Sequence, residues 1–96
     1  MRATAGSSSK PRFLFNLANT RFDRREYVEA IAACDRLLAA APEFAHGYAL
    51  RGFSRVALKR PGAASDLERF LALAPDDRLA AHARKLLAGA DARSTR

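Results

Sequence analysis

The 96-residue chain has a single cysteine, Cys34. A lone thiol excludes an internal disulfide and removes the usual mark of an oxidising compartment, so a cytoplasmic location is the expectation. Long apolar runs are missing as well. The longest stretches without a charge fall far short of the roughly 20 residues that a membrane-spanning helix needs, and the N-terminus lacks the apolar core of a secretory signal. Proline (four) and glycine (five) are scarce, so little interrupts regular structure. There is no glycine-rich phosphate loop, and no carboxylates are paired in a pattern suited to acid–base work. His46 and His82 have no cysteine or carboxylate at metal-ligand spacing. No catalytic residue, metal or cofactor is therefore expected, and the chain is read as a non-enzyme. Acidic residues are also few. Ten of them face seventeen Lys and Arg, giving a formal charge of +7. Such a balance favours acidic partners and says nothing about fold.

What is present is mostly helix-forming. Hydrophobic residues make up 49% of the chain, and alanine supplies much of that share. The length suits one small domain with a thin core. Residues 1–12 (MRATAGSSSKPR) are small, polar and basic, with no acid and no periodicity. They are read as a disordered basic arm. Their composition also fits part of a transit segment, a reading disfavoured by the absence of an amphipathic face.

From Phe13 the pattern turns helical. Leu14, Leu17, Ala18 and Phe22 recur at helical spacing. Tyr27, Ala30, Cys34, Leu37, Leu38 and Ala41 form the stripe of a second helix, which Pro42 ends. Cys34 lies on that apolar face and is expected to be structural rather than nucleophilic. A third helix covers about Ala45 to Lys59, with Tyr48, Gly52 and Val56 on one face. Pro61 suits the first turn of a fourth, which runs through Leu67 and Leu71 to Pro75. Asp76 and Asp77 can cap a fifth, whose face is Leu79, Ala83, Leu86, Leu87 and Ala90. Residues 91–96 are expected to fray, and no segment reads as a strand.

One phrase occurs twice. RLLAAAPE (Arg36–Glu43) returns as RFLALAPD (Arg69–Asp76), 33 residues later. Helices two and four align throughout at 33, pairing Ala30 with Ala63, Cys34 with Leu67, Leu38 with Leu71 and Pro42 with Pro75. Helices one and three align at 34, pairing Leu14 with Tyr48, Ala18 with Gly52, Arg21 with Arg55 and Arg25 with Lys59. Small residues stand where the two helices of each unit must approach closely: Ala18 and Ala30, then Gly52 and Ala63. A hairpin with one open apolar face buries it by stacking on the next unit.

This register resembles the tetratricopeptide repeat, whose pattern W-x2-L-G-x2-Y, A-x3-F, P recurs at about 34 residues. The first unit, residues 11–44, offers Leu14, Leu17, Ala18, Arg21, Ala30, Cys34 and Pro42 at those places. The second, residues 45–77, offers Tyr48, Arg51, Gly52, Arg55, Ala63, Leu67 and Pro75, with Arg departing from the usual Leu and Tyr. The resemblance implies an all-α fold, a short right-handed α-solenoid of antiparallel hairpins with about five helices. Residues 13–90 would form that domain, and residues 77–90 its capping helix.

The resemblance also implies a concave groove lined by the first helix of each unit. Its positions fall on Arg12, Phe15, Asn19, Phe22 and Asp23, then on His46, Ala49, Phe53, Val56 and Ala57. Phe15, Asn19, Phe22, His46, Phe53 and Val56 are the expected peptide-binding residues, in a partly aromatic groove suited to a peptide or helix. The alternative is that the three phenylalanines merely pack on one another or on the N-terminal arm. One subtype of the family clamps a C-terminal carboxylate with Lys and Asn. Asn19 matches one clamp position, but Phe15 and Leu50 replace two others, so no such clamp is expected. The basic pairs Arg21/Arg55 and Arg25/Lys59, with Arg24 and Arg60, are read as complementing helix C-termini. An anionic contact surface is the alternative, and with no stacking signature nucleic acid is not expected.

The expected function is a protein–protein adaptor. Three alternatives stand beside it. RPGAASDLERFLALAPDD (residues 60–77) also resembles the helical tail of bacterial transglutaminase-like proteins, which would make the chain an accessory module. An open N-terminal hairpin face could pack on a second copy as a homo-oligomer. The basic edge could hold an anionic partner.

Overall fold

Helix α1 spans Ala3–Asp23, α2 Tyr27–Ala40, α3 Ala45–Leu58, α4 Ala63–Leu73 and α5 Ala80–Ser94. These come from a computed structural model that describes residues 3–94, with side-chain surroundings for 10–89. No strand occurs among the described residues. Each helix packs on its neighbour in sequence, and α1 also touches α3. That is the contact pattern of stacked hairpins, α1/α2 then α3/α4, with α5 closing the second.

The ends of the helices repeat as their sequences do. Ala41 and Ala74 leave the helical region (φ −141 and −142), each immediately before a proline. Arg25 and Lys59, 34 apart, both adopt left-handed backbone (φ 63 and 58) at the close of the first helix of each unit. The following N–H then reaches back to a carbonyl five residues earlier, Glu26 to Arg21 at 2.9 Å and Arg60 to Arg55 at 2.8 Å. This is the Schellman closure of a helix.

Three boundaries differ from the sequence-based expectation. Where an arm is expected at 1–12, α1 is helical from Ala3 through Pro11. Pro11 lies inside this helix, where its missing N–H removes one intrahelical hydrogen bond. Likewise α5 runs on to Ser94 through the expected tail. Met1, Arg2, Thr95 and Arg96 lie outside the described residues. The fourth helix starts at Ala63, so Pro61 falls in the turn and not inside the helix. Gly62 takes φ +95 there, a backbone that glycine adopts without penalty and that cannot continue into a helical turn.

The core lies in two clusters. Ala18, Ala33, Cys34 and Leu50 make the first, flanked by Phe15, Leu17 and Phe22. Ala49, Leu67, Phe70 and Ala83 make the second, flanked by Tyr48, Phe53, Leu71 and Leu79 among others. Ala18 and Ala30 are fully buried, as their place between helices requires, whereas Ala63 is only half-buried. Gly52 is where backbone approach is closest. A Cβ there would meet Leu67 Cδ2 at 2.7 Å and Leu67 Cγ at 2.9 Å. Gly52→Ala is therefore expected to lower stability by about 1–3 kcal/mol through overpacking. Urea unfolding checks it, and an unchanged midpoint would show that Leu67 yields freely.

Candidate functional site

The aromatic residues of the first helices do not form one continuous strip. Phe22, at the C-terminal end of α1, lies 6.3 Å from Phe53 of α3 and 5.6 Å edge-on to Tyr27 of α2, ring centre to ring centre. Phe53 in turn sits 5.2 Å from His82 of α5. Together with Val56, Ala57, Leu79 and Leu86 these side chains line a pocket of about 330 Å³. Phe22, Phe53 and Val56 were expected in a groove, and here they share one pocket. Its rings also pack on one another, so contact within the fold and exposure to a ligand are not alternatives at this place.

The other expected residues go elsewhere. Phe15 is half-buried, its ring 5.2 Å from Phe44 and 5.9 Å from His46, nearly parallel to the latter. The Nε2 of His46 lies 2.7 Å from Asp77 Oδ2, and its ring lies 5.9 Å from Phe70. Asp77 also accepts the Leu79 backbone N–H at 2.9 Å. That bond first, and the His46 contact next, hold its carboxyl below the usual range. Asp77 thus closes the turn that leads into the last helix and ties that turn to α3. Asn19 is exposed on α1. Ala49 and Leu50 are buried in the core and line no groove, because α5 closes over Ala49 and Leu50 faces the first cluster.

Tyr27, Leu79, His82 and Leu86 belong to the pocket without having been singled out for it. Their signal was present in part. Positions 79, 82 and 86 follow an i, i+3, i+7 spacing, a face adjoining the Leu79, Ala83, Leu86, Leu87 stripe assigned to the core.

The arginines at family core positions have partners. Arg51 Nη2 donates to Asp66 Oδ1 at 2.8 Å, and its Nε contacts both carboxylate oxygens at 3.2 and 3.1 Å. Arg55 Nη1 donates to Asp66 Oδ2 at 2.7 Å, and Arg51 Nη1 reaches Asp35 at 2.7 Å. Asp66 is 3% exposed, so this fork is a buried ion pair between α3 and α4. Arg21 likewise bonds Glu26 at 2.8 Å, which keeps the Glu26 carboxyl below its usual range. Arg21 and Arg55 are thus paired with specific carboxylates, a correction to their reading as helix-end charges alone.

Cys34 is fully buried and its thiol is pushed up to about 12, chiefly because burial disfavours the thiolate. A thiol so placed is no nucleophile at neutral pH. The folded value lies above the unfolded one, so the stability linked to this thiol is intact below about pH 9 and declines as pH rises towards 12. Between about pH 8 and about pH 10 the native chain should lose roughly 1–2 kcal/mol more than Cys34→Ala does, measured by urea unfolding. Parallel pH dependence in the two proteins would refute it.

Two stacked antiparallel hairpins and a closing helix, with an aromatic pocket where α1, α3 and α5 meet, define a helical-hairpin repeat protein. The family model described as tetratricopeptide repeat matches residues 17–88, and the chain belongs to that family. No curated protein and no solved structure matches it. Membership suggests a protein–protein interaction module. Among the described residues, no helix is long and apolar enough to cross a membrane.

Proposed function

We propose that the chain is an adaptor that holds a peptide or helix of another protein in the pocket formed by Phe22, Phe53, Val56 and His82. The observation that supports this most is the pocket itself, about 330 Å³ and walled mainly by apolar and aromatic side chains from α1, α2, α3 and α5. Pockets of that size and lining are where compact proteins take up apolar groups, and a bulky side chain of the partner is the natural anchor. Phe15 and His46 act from outside it. They hold α1, α3 and the start of α5 in register, so that the walls keep their spacing.

Val56 and His82 are the residues to change, because both are exposed and neither belongs to the core. Val56→Asp and His82→Glu should leave helicity and the unfolding midpoint near the native values. Partners captured from the native cell and counted by mass spectrometry should be lost with both variants. Undiminished recovery by both would sink the pocket as the binding site.

A further inference from the structure

The proposed pocket has a basic annex. A second pocket of about 410 Å³ shares Val56 and Leu86 with the first, so those two side chains form the divide between them. Its rim carries Arg55, Lys59, Arg60 and Lys85. Arg55 is bound to Asp66. Lys59, Arg60 and Lys85 are exposed, and none forms an ion pair with a carboxylate among the described residues. Cations near the end of α3 complement its dipole. That accounts for Lys59 and Arg60, but Lys85 belongs to the body of α5 and still lines the same cavity. Three cations with no carboxylate partner among the described residues thus converge beside an apolar wall, two at the end of α3 and one on α5.

We propose that the bound segment is acidic: a bulky apolar residue enters the Phe53 pocket, and Asp or Glu side chains within a few residues of it meet Lys59, Arg60 and Lys85. This rests on the adaptor reading above and specifies the partner it takes. Charge complementarity selects the occupant. A second copy of this chain would bring a net charge of +7 against a basic rim, so like charges would oppose it. A nucleic acid strand would use ring faces in succession for stacking. Here Phe22 meets Tyr27 edge-on at 67°, and Phe22 and Phe53 are tilted into each other, so the rings make side walls rather than steps. The cations line the second pocket, and none of them lines the aromatic one.

The test is selection of a random peptide-display library against the full chain, followed by anisotropy on the enriched peptides. Enriched sequences should pair a bulky apolar residue with two or more nearby acids. Their affinity should fall about tenfold or more with the Lys59→Glu, Lys85→Glu double variant, and should fall as NaCl is raised. Enriched peptides with no acidic bias, lost with Val56→Asp but bound within about twofold by the lysine variant, would overturn this inference and leave the adaptor reading standing. A library that enriches nothing, or peptides indifferent to Val56→Asp, would overturn both. A poly-dT strand bound more tightly than any enriched peptide, through Lys85, would assign the rim to nucleic acid and end the proposal.

Discussion

Asp66→Ala alone is expected to cost about 3–5 kcal/mol, and the double variant Arg51→Leu, Asp66→Ala to recover only part of that loss, since Arg55 keeps its charge without its carboxylate. The single change leaves Arg51 and Arg55, with side chains 19% and 25% exposed, aimed at a site where their carboxylate has gone. Uncompensated charge at such a site is the costly outcome. Replacing a buried pair by matched apolar residues is often neutral or favourable, since the desolvation of both partners is then avoided. The first repeat supplies the template. By the 34- and 33-residue registers Leu17 stands where Arg51 does, and Ala33 where Asp66 does. Leu17 and Ala33 pack in the first core cluster. The same structural position is thus apolar in one unit and ionic in the next. Arg51→Leu alone should lose less than Asp66→Ala, because Arg55 still reaches Asp66 at 2.7 Å. Urea unfolding of the four proteins gives the coupling energy directly. Losses that simply add would show that the two side chains stabilise the fold independently.

That exchange also marks the limit of what could be read from the chain. Hairpins, helix ends and the burial of Cys34 follow from apolar spacing and from proline placement, which are local. Arg51 and Arg55 could be seen only as departures from a pattern, because their partner lies 15 and 11 residues away on another helix. Nothing in the local sequence SDLERF distinguishes a buried Asp66 from a solvated one. His46 and Asp77, 31 apart, pose the same difficulty. Phe22, Phe53 and Val56 were legible only through the groove positions that the family resemblance implies. Leu79, His82 and Leu86 were not, since a closing helix uses adjoining faces for core and pocket and no period separates them. Ala49 was placed in the groove by repeat position, yet α5 covers it. The register of a repeat tells which residues are equivalent; only the neighbouring unit decides which of them remain open.

Phe70→Ala is the second large effect, about 3–5 kcal/mol. Phe70 is the largest fully buried side chain, at 0% exposure. It joins α4 to Ala49 of α3 and Ala83 of α5, with the His46 ring 5.9 Å away. Truncation therefore removes apolar burial and opens a cavity at the junction of three helices. For a small domain, such a loss is a large part of the total, which is about 5–15 kcal/mol for folded proteins generally. Its distribution should be uneven. Stacked repeats contact only their neighbours, so stability is nearly a sum of unit and interface contributions. The first cluster, built on Ala18, Ala33, Cys34 and Leu50, contains no atom of Phe70. Amide hydrogen exchange should accordingly rise most in α5 and α4, less in α3, and least in α1 and α2. Closing the pocket requires α5, which carries Leu79, His82 and Leu86 at or beside its first turns. The same variant should thus lose the pocket at temperatures where the first hairpin is still protected. Equal loss of protection in all five helices would show instead that both clusters open together, as one cooperative unit, and the pocket could then not be weakened without unfolding the whole.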